Sequence, residues 1–150
     1  MAKLRPDEKA DTDVLLETYN ELLAAHKELA ELTVSMTDKL GFLSQAQRLA
    51  EMQAEKCGLN IEMQKWLISY SWNLGVKSYQ TREGSERELA RRFFQMSTQL
   101  LGSCEKRINE QMKAEGGYLE SEELQQLKVF LDLVGPQISR IHQKVLYDIF

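Results

Sequence analysis

Between Trp66 and Leu101 the apolar residues fall at helical spacing, with one interruption at Thr81-Arg82-Glu83-Gly84. Such a stretch predicts two amphipathic helices joined by a short turn. The first carries Trp66, Leu67, Tyr70, Leu74 and Tyr79, and the second Leu89, Phe93, Phe94, Met96, Leu100 and Leu101. Gly75 falls inside the first helix, where glycine costs about 1 kcal/mol relative to alanine. Close approach of the second helix would compensate, because a Cβ at that position would hold the two backbones apart. Ser85 with Glu88 makes a capping box for the second helix, and Gly84 is placed to end the first. Trp66, Tyr70, Trp72 and Tyr79 cannot all share one helix face. Trp66, Tyr70 and Leu74 are therefore expected inside, leaving Trp72 and Tyr79 for a partner groove, where aromatic side chains commonly anchor a peptide helix.

These residues resemble a tetratricopeptide (TPR) helix pair. Leu74-Gly75 matches the Leu-Gly of that repeat's first helix, and Ala90, Phe94 and Ser97 match the spacing of its second. The departures are that Trp72 precedes the leucine by two residues rather than three, Tyr79 follows the glycine by four rather than three, and the turn is about three residues longer than the standard motif. A narrower resemblance covers Trp66-Leu67, Trp72-Asn73-x-Gly75, Tyr79, Ala90 and Phe94. These look like a segment near the C-terminus of the meiotic TPR-rich scaffold family of the ZMM group, which acts in synapsis initiation and crossover formation. That resemblance implies a nuclear, non-catalytic scaffold whose partners are other crossover-promoting proteins. Members of that family are several times longer, so it also implies an excised C-terminal piece or a shortened relative. No second copy recurs at the repeat period of about 34 residues, so an uninterrupted array is not indicated.

The flanking segments also read as helices. Met1 to about Lys9 has no apolar period and is expected to be a flexible arm over residues 1–10. From a cap at Asp11 or Thr12, the residues Leu15, Tyr19, Leu22, His26, Leu29, Thr33, Met36 and Leu40 alternate steps of four and three. This stripe predicts one long helix that Gly41 breaks or kinks. Leu16, Leu23 and Leu32 widen it beyond a strict two-stranded seam. One flank is expected to pack within the domain, and Leu16 and Leu23 are candidates for meeting another chain. A shorter helix follows from Phe42 to Cys57, with Gly58 as its C-cap, and Asn60 caps the Trp66 helix. Beyond Leu101 the helix is expected to run past Ile108 and Met112 to a loop at Glu115-Gly116-Gly117. Ser121 caps a helix with Leu124, Leu127, Phe130, Leu131 and Val134 on one face. Gly135-Pro136 is expected to stop it and to start a last helix carrying Ile138, Ile141, Val145 and Ile149.

Composition narrows the function more by exclusion than by indication. With 43% apolar residues, only two prolines and few β-branched runs, 150 residues suffice for a helical core. The net charge of −4 and pI near 5.3 come from interspersed signs, without a basic stripe that would track phosphates. Arg87, Arg91 and Arg92 read as a solvated helix face. No apolar run approaches the roughly 18 residues of a membrane span. Cys57 and Cys104 read as reduced, intracellular thiols. His26 and His142 stand in no metal-ligand spacing, and acid pairs such as Glu17 with Glu21 and Glu28 with Glu31 read as surface charges. There is no nucleophile elbow, P-loop or dinucleotide-binding motif.

The expectation is an all-α chain of five to six helices, with residues 11–150 as a single helical domain around a TPR-like hairpin. Trp66, Tyr70, Leu74, Gly75, Ala90 and Phe94 build that hairpin, with Trp72, Tyr79, Leu16 and Leu23 as partner-facing candidates. Catalytic residues, cofactors and metal ligands are not expected. The function expected is a protein–protein interaction module. The alternatives are a self-associating helical bundle, an adaptor of an unrelated pathway, and a nucleic-acid-binding helical domain.

Overall fold

The computed structural model describes the backbone at residues 6–80 and 84–149 and the side chains at 8–80 and 86–144. The described residues form five helices and no strand: α1 (Pro6–Leu32), α2 (Met36–Lys56), α3 (Ile61–Gln80), α4 (Gly84–Ala114) and α5 (Glu122–Ile149). The fold is all-α, as the periodicity requires. The single domain expected for 11–150 resolves into two compact units, residues 1–63 and 64–150.

In the first unit α2 runs antiparallel to α1. Lys39 Nζ donates to the Ala30 carbonyl at 2.6 Å, His26 bridges the Leu22 carbonyl and the Gln45 amide, and Gln53 Nε2 donates to Asn20 Oδ1 at 2.7 Å. Tyr19, Leu23 and Ala30 of α1 and Leu40, Leu43, Ala46 and Ala50 of α2 are buried. Three expectations change here. Helix α1 starts at Pro6, where proline's fixed φ and missing N–H suit a first turn. Residues 6–10 are thus helical, residues 1–5 lie outside the described residues, and Thr12 lies inside the helix with its hydroxyl bonded back to the Glu8 carbonyl. The break comes at Thr33-Val34-Ser35 rather than at Gly41. Ser35 is an extended N-cap whose side chain accepts from the Asp38 N–H, and Thr33 and Lys39 occupy the last carbonyls of α1. These bonds decide the boundary, because an interior glycine costs only about 1 kcal/mol. Leu23 is fully buried, so it belongs to the chain's own core and cannot meet a partner.

The α2–α3 link follows expectation. Gly58 has φ +104°, and the N–H groups of Cys57 and Gly58 both reach the Gln53 carbonyl. Asn60 Oδ1 accepts from the Met63 N–H at 3.1 Å.

In the second unit α3, α4 and α5 run up, down and up. Along α3 and α4, Gln64 meets Cys104, Ile68 meets Ser97, Ser71 meets Met96 and Gly75 meets Phe94, which is an antiparallel register. Along α4 and α5, Leu101 faces Gly135 and Thr98 faces His142. The α4–α5 loop contains Gly116 and Gly117 at positive φ, and Ser121 Oγ caps α5 by accepting from the Leu124 N–H.

Gly84 is the first residue of α4, not the end of α3. The Ser85 side chain and the turn residues 81–83 lie outside the described residues, as do the side chains of Val145, Ile149 and the apolar end of the chain. Gly135-Pro136 does not stop α5, which passes through both. Interior proline costs about 3 kcal/mol or more, but Leu127 and Leu131 before it and Ile138 after it are buried, at about 1.5–3 kcal/mol each. One continuous helix keeps all three buried. Gly135 is itself buried, and a Cβ there would sit 3.3 Å from Glu105 Oε1 and 3.5 Å from Leu101 Cδ2.

Candidate functional site

The α3–α4 contact sets the geometry of the second unit. A Cβ on Gly75 would lie 2.8 Å from both Phe94 Cδ1 and Cε1, closer than packed carbon atoms approach. The bare glycine therefore admits the Phe94 ring against the α3 backbone, as Gly75 was expected to do. Ala90 and Phe94 are buried, with Trp72, Val76, Tyr79 and Ile141 packed on them. Small polar side chains complete the close approach: Ser97 Oγ donates to the Ile68 carbonyl at 3.0 Å, and Ser71 Oγ to Met96 Sδ at 3.4 Å.

This contact turns α3 further than its aromatic residues suggested. Leu67, Ile68, Ser71, Leu74, Gly75 and Ser78 form the buried face. Trp66 and Tyr70, expected inside, are half-buried at one border, stacked on each other with centroids 4.7 Å apart and planes at 16°. Leu74 is buried as expected. Trp72 and Tyr79 occupy the opposite border. They are half-buried rather than free, and the Trp72 ring lies tilted against Phe94 at 4.7 Å and 54°.

Beside Trp72, α3 and α5 leave an open groove of about 290 Å³. Ile68, Ser69, Trp72 and Asn73 line it from α3, and Phe130, Val134, Gln137, Ile138 and Ile141 from α5. The floor is apolar, and Ser69, Asn73 and Gln137 place exposed polar groups at the rim. Lys65 Nζ stands 6.0 Å above the Phe130 ring centroid. Tyr79 packs on Ala90 and Phe94 but does not line this groove. Leu16, the other partner-facing candidate, is on α1, which contributes nothing to it; its side chain is at the edge of exposure.

The α5 half of the groove is not legible as a site in the sequence. Phe130, Val134, Ile138 and Ile141 were legible as apolar helix faces. Nothing in their spacing reveals that they meet Trp72 some sixty residues earlier.

Next to Ile141, His142 Nδ1 lies 3.1 Å from Thr98 Oγ1, whose hydroxyl donates to the Phe94 carbonyl. With that proton committed, Nδ1–H is the donor, and Nε2 is a buried acceptor with no hydrogen-bond partner among the described residues. Burial first, then the charge of Arg91, lowers the His142 pKa from its ordinary value. Arg91 and Arg92 both pair with Glu88 on α4, the closer contact at 2.6 Å. The Arg91 hydrogen bond holds the Glu88 carboxyl below its usual range.

Both cysteines carry free thiols. Burial pushes the Cys104 thiol up to about 12, so it stays un-ionised at neutral pH and is a poor nucleophile. Among the described residues no three His, Cys, Asp or Glu side chains converge as a metal site, and no helix is long and apolar enough to cross a membrane. The groove offers apolar surface, one hydroxyl and two side-chain amides, a set suited to holding an apolar side chain.

No family model, curated protein or solved structure matches the chain.

Proposed function

We propose that this chain is a protein–protein interaction module whose α3–α5 groove receives apolar side chains from a partner helix. The observation that carries this reading is the placement of Trp72. Its ring is backed by Phe94 and forms one wall of the groove, so a partner would meet a pre-positioned aromatic surface. The volume, about 290 Å³, falls at the lower edge of small-molecule pockets and suits one or two side chains. The lining residues include no acid–base pair and no activated nucleophile, which favours binding over catalysis. The resemblance of the Trp72-Asn73-x-Gly75 segment to the meiotic scaffold family makes nuclear crossover-promoting and chromosome-axis proteins the first partners to test.

The test is a pull-down with the full chain against those proteins, followed by titration of whatever is captured. Trp72→Ala should weaken binding. Because Trp72 also supports Phe94, the rim variants Asn73→Arg and Gln137→Arg provide a second arm that leaves the core intact. Loss of binding with unchanged helicity supports the groove. No partner at micromolar concentration, or binding indifferent to all three variants, would remove it.

A further inference from the structure

Helix α1 turns only part of its apolar surface toward α2. Tyr19, Leu23 and Ala30 are buried, whereas Leu15, Leu22 and Leu29 are 37%, 42% and 45% exposed and Leu32 is 73% exposed. The first three lie seven residues apart. Residues at that interval drift by only about 20° on a straight helix, so they form a line about 21 Å long. Thr18 and Ala25, both exposed, fill the positions beside it. Glu21 and Glu28 each precede a leucine of the line by one residue, are exposed, and border it on the side away from the buried face. The whole helix carries eight acidic and two basic residues, a net −6, while the entire chain is only −4. The excess of negative charge is thus concentrated on the helix that bears the uncovered leucines.

We propose that this acid-bordered leucine line is a docking surface for a basic amphipathic helix of another protein. Leucines at heptad spacing present the knobs that a helical partner interleaves with. The carboxylates at the border select lysine or arginine flanks and repel acidic ones. A second copy of the chain fits poorly, because any symmetric pairing sets one strongly acidic α1 against another. A membrane surface fits poorly too, because helices that lie on anionic lipid carry basic polar faces. The surface belongs to the first unit and does not rest on the α3–α5 groove.

The experiment uses the full chain and two labelled synthetic helices with leucine at heptad positions, one with lysine flanks and one with glutamate flanks. Fluorescence polarisation should show the lysine peptide binding at low salt, weakening as salt screens the borders, and the glutamate peptide not binding. Leu22→Asp should weaken the lysine peptide by roughly tenfold or more. The double change Glu21→Lys with Glu28→Lys should shift preference toward the glutamate peptide. Asn73→Arg, in the groove, should change nothing, so failure of this surface and failure of the groove are read separately. Equal affinity for both peptides, binding indifferent to Leu22→Asp, absence of binding, or a dimer by sedimentation that Leu22→Asp dissolves would each overturn the proposal.

Discussion

The two antiparallel contacts α3–α4 and α1–α2 are built from similar raw material and end differently. Each first helix carries a wide band of large apolar residues, and each pair has a glycine inside a helix. In α3–α4 the glycine faces its partner: Gly75 receives Phe94, and that contact fixes the rotation of α3. In α1–α2 the interior glycine, Gly41, faces outward, with nothing among the described residues within 4 Å of where its Cβ would be. No comparable steric key sets the rotation of α1, and its leucines are divided between core and surface. A band of leucine says that a helix has an inside, whereas a glycine pressed on a ring says which side that is.

Four measurements would break or sharpen this contrast. The largest effect belongs to Phe94→Ala, expected to cost about 3–5 kcal/mol in urea unfolding because the ring is buried at the helix contact. A loss below about 1 kcal/mol would mean that Phe94 is not the key of this contact. Gly75→Ala comes next, at about 1–3 kcal/mol of destabilisation from overpacking against the ring. Combining it with Phe94→Leu should cost less than the sum of the single changes, which a double-mutant cycle would detect. Gly41→Ala should act in the opposite direction, stabilising by about 0.5–1 kcal/mol, because alanine's helix preference is gained with no clash. The same sign for both glycine changes would erase the distinction.

The smallest effect concerns pH. The folded pKa of His142 lies below the ordinary 6.5, so above 6.5 both states are neutral there and stability is fully present. As pH falls from 6.5 through the folded value, the unfolded chain takes up a proton first and stability is lost. His142→Gln should flatten this dependence as pH falls below 6.5, measured as the shift in urea midpoint. An unchanged slope would place the titration elsewhere.

Local signals were legible at several positions where the chain carries its own hydrogen-bond partner or backbone requirement. Asn60, Ser121, Gly58 and the Gly116-Gly117 loop act as their residue types suggest. At two boundaries the local signal does not decide the outcome. Gly41 and Gly135-Pro136 look like stops, yet a helix runs through each. The cost of these residues is local, and the burial gained by continuing is distributed over several turns. Ser35 carried the signal for the true break, with Asp38 three residues on, but the unbroken apolar stripe through Met36 and Leu40 masked it. The groove was half legible. Trp72 is legible in the sequence as a partner-facing aromatic, whereas its α5 wall depends on a distant pairing.

Helical periodicity, capping residues and the bare position at Gly75 determined by themselves that this chain is all-α and that α3 and α4 meet where they do, because those are properties of neighbouring residues. Tertiary structure alone decided which leucines of α1 are buried, that α5 stays whole across Pro136, and that Trp72 shares a groove with Ile138. Those outcomes depend on the total surface removed from water when distant helices pack, and no single stretch of residues carries that sum.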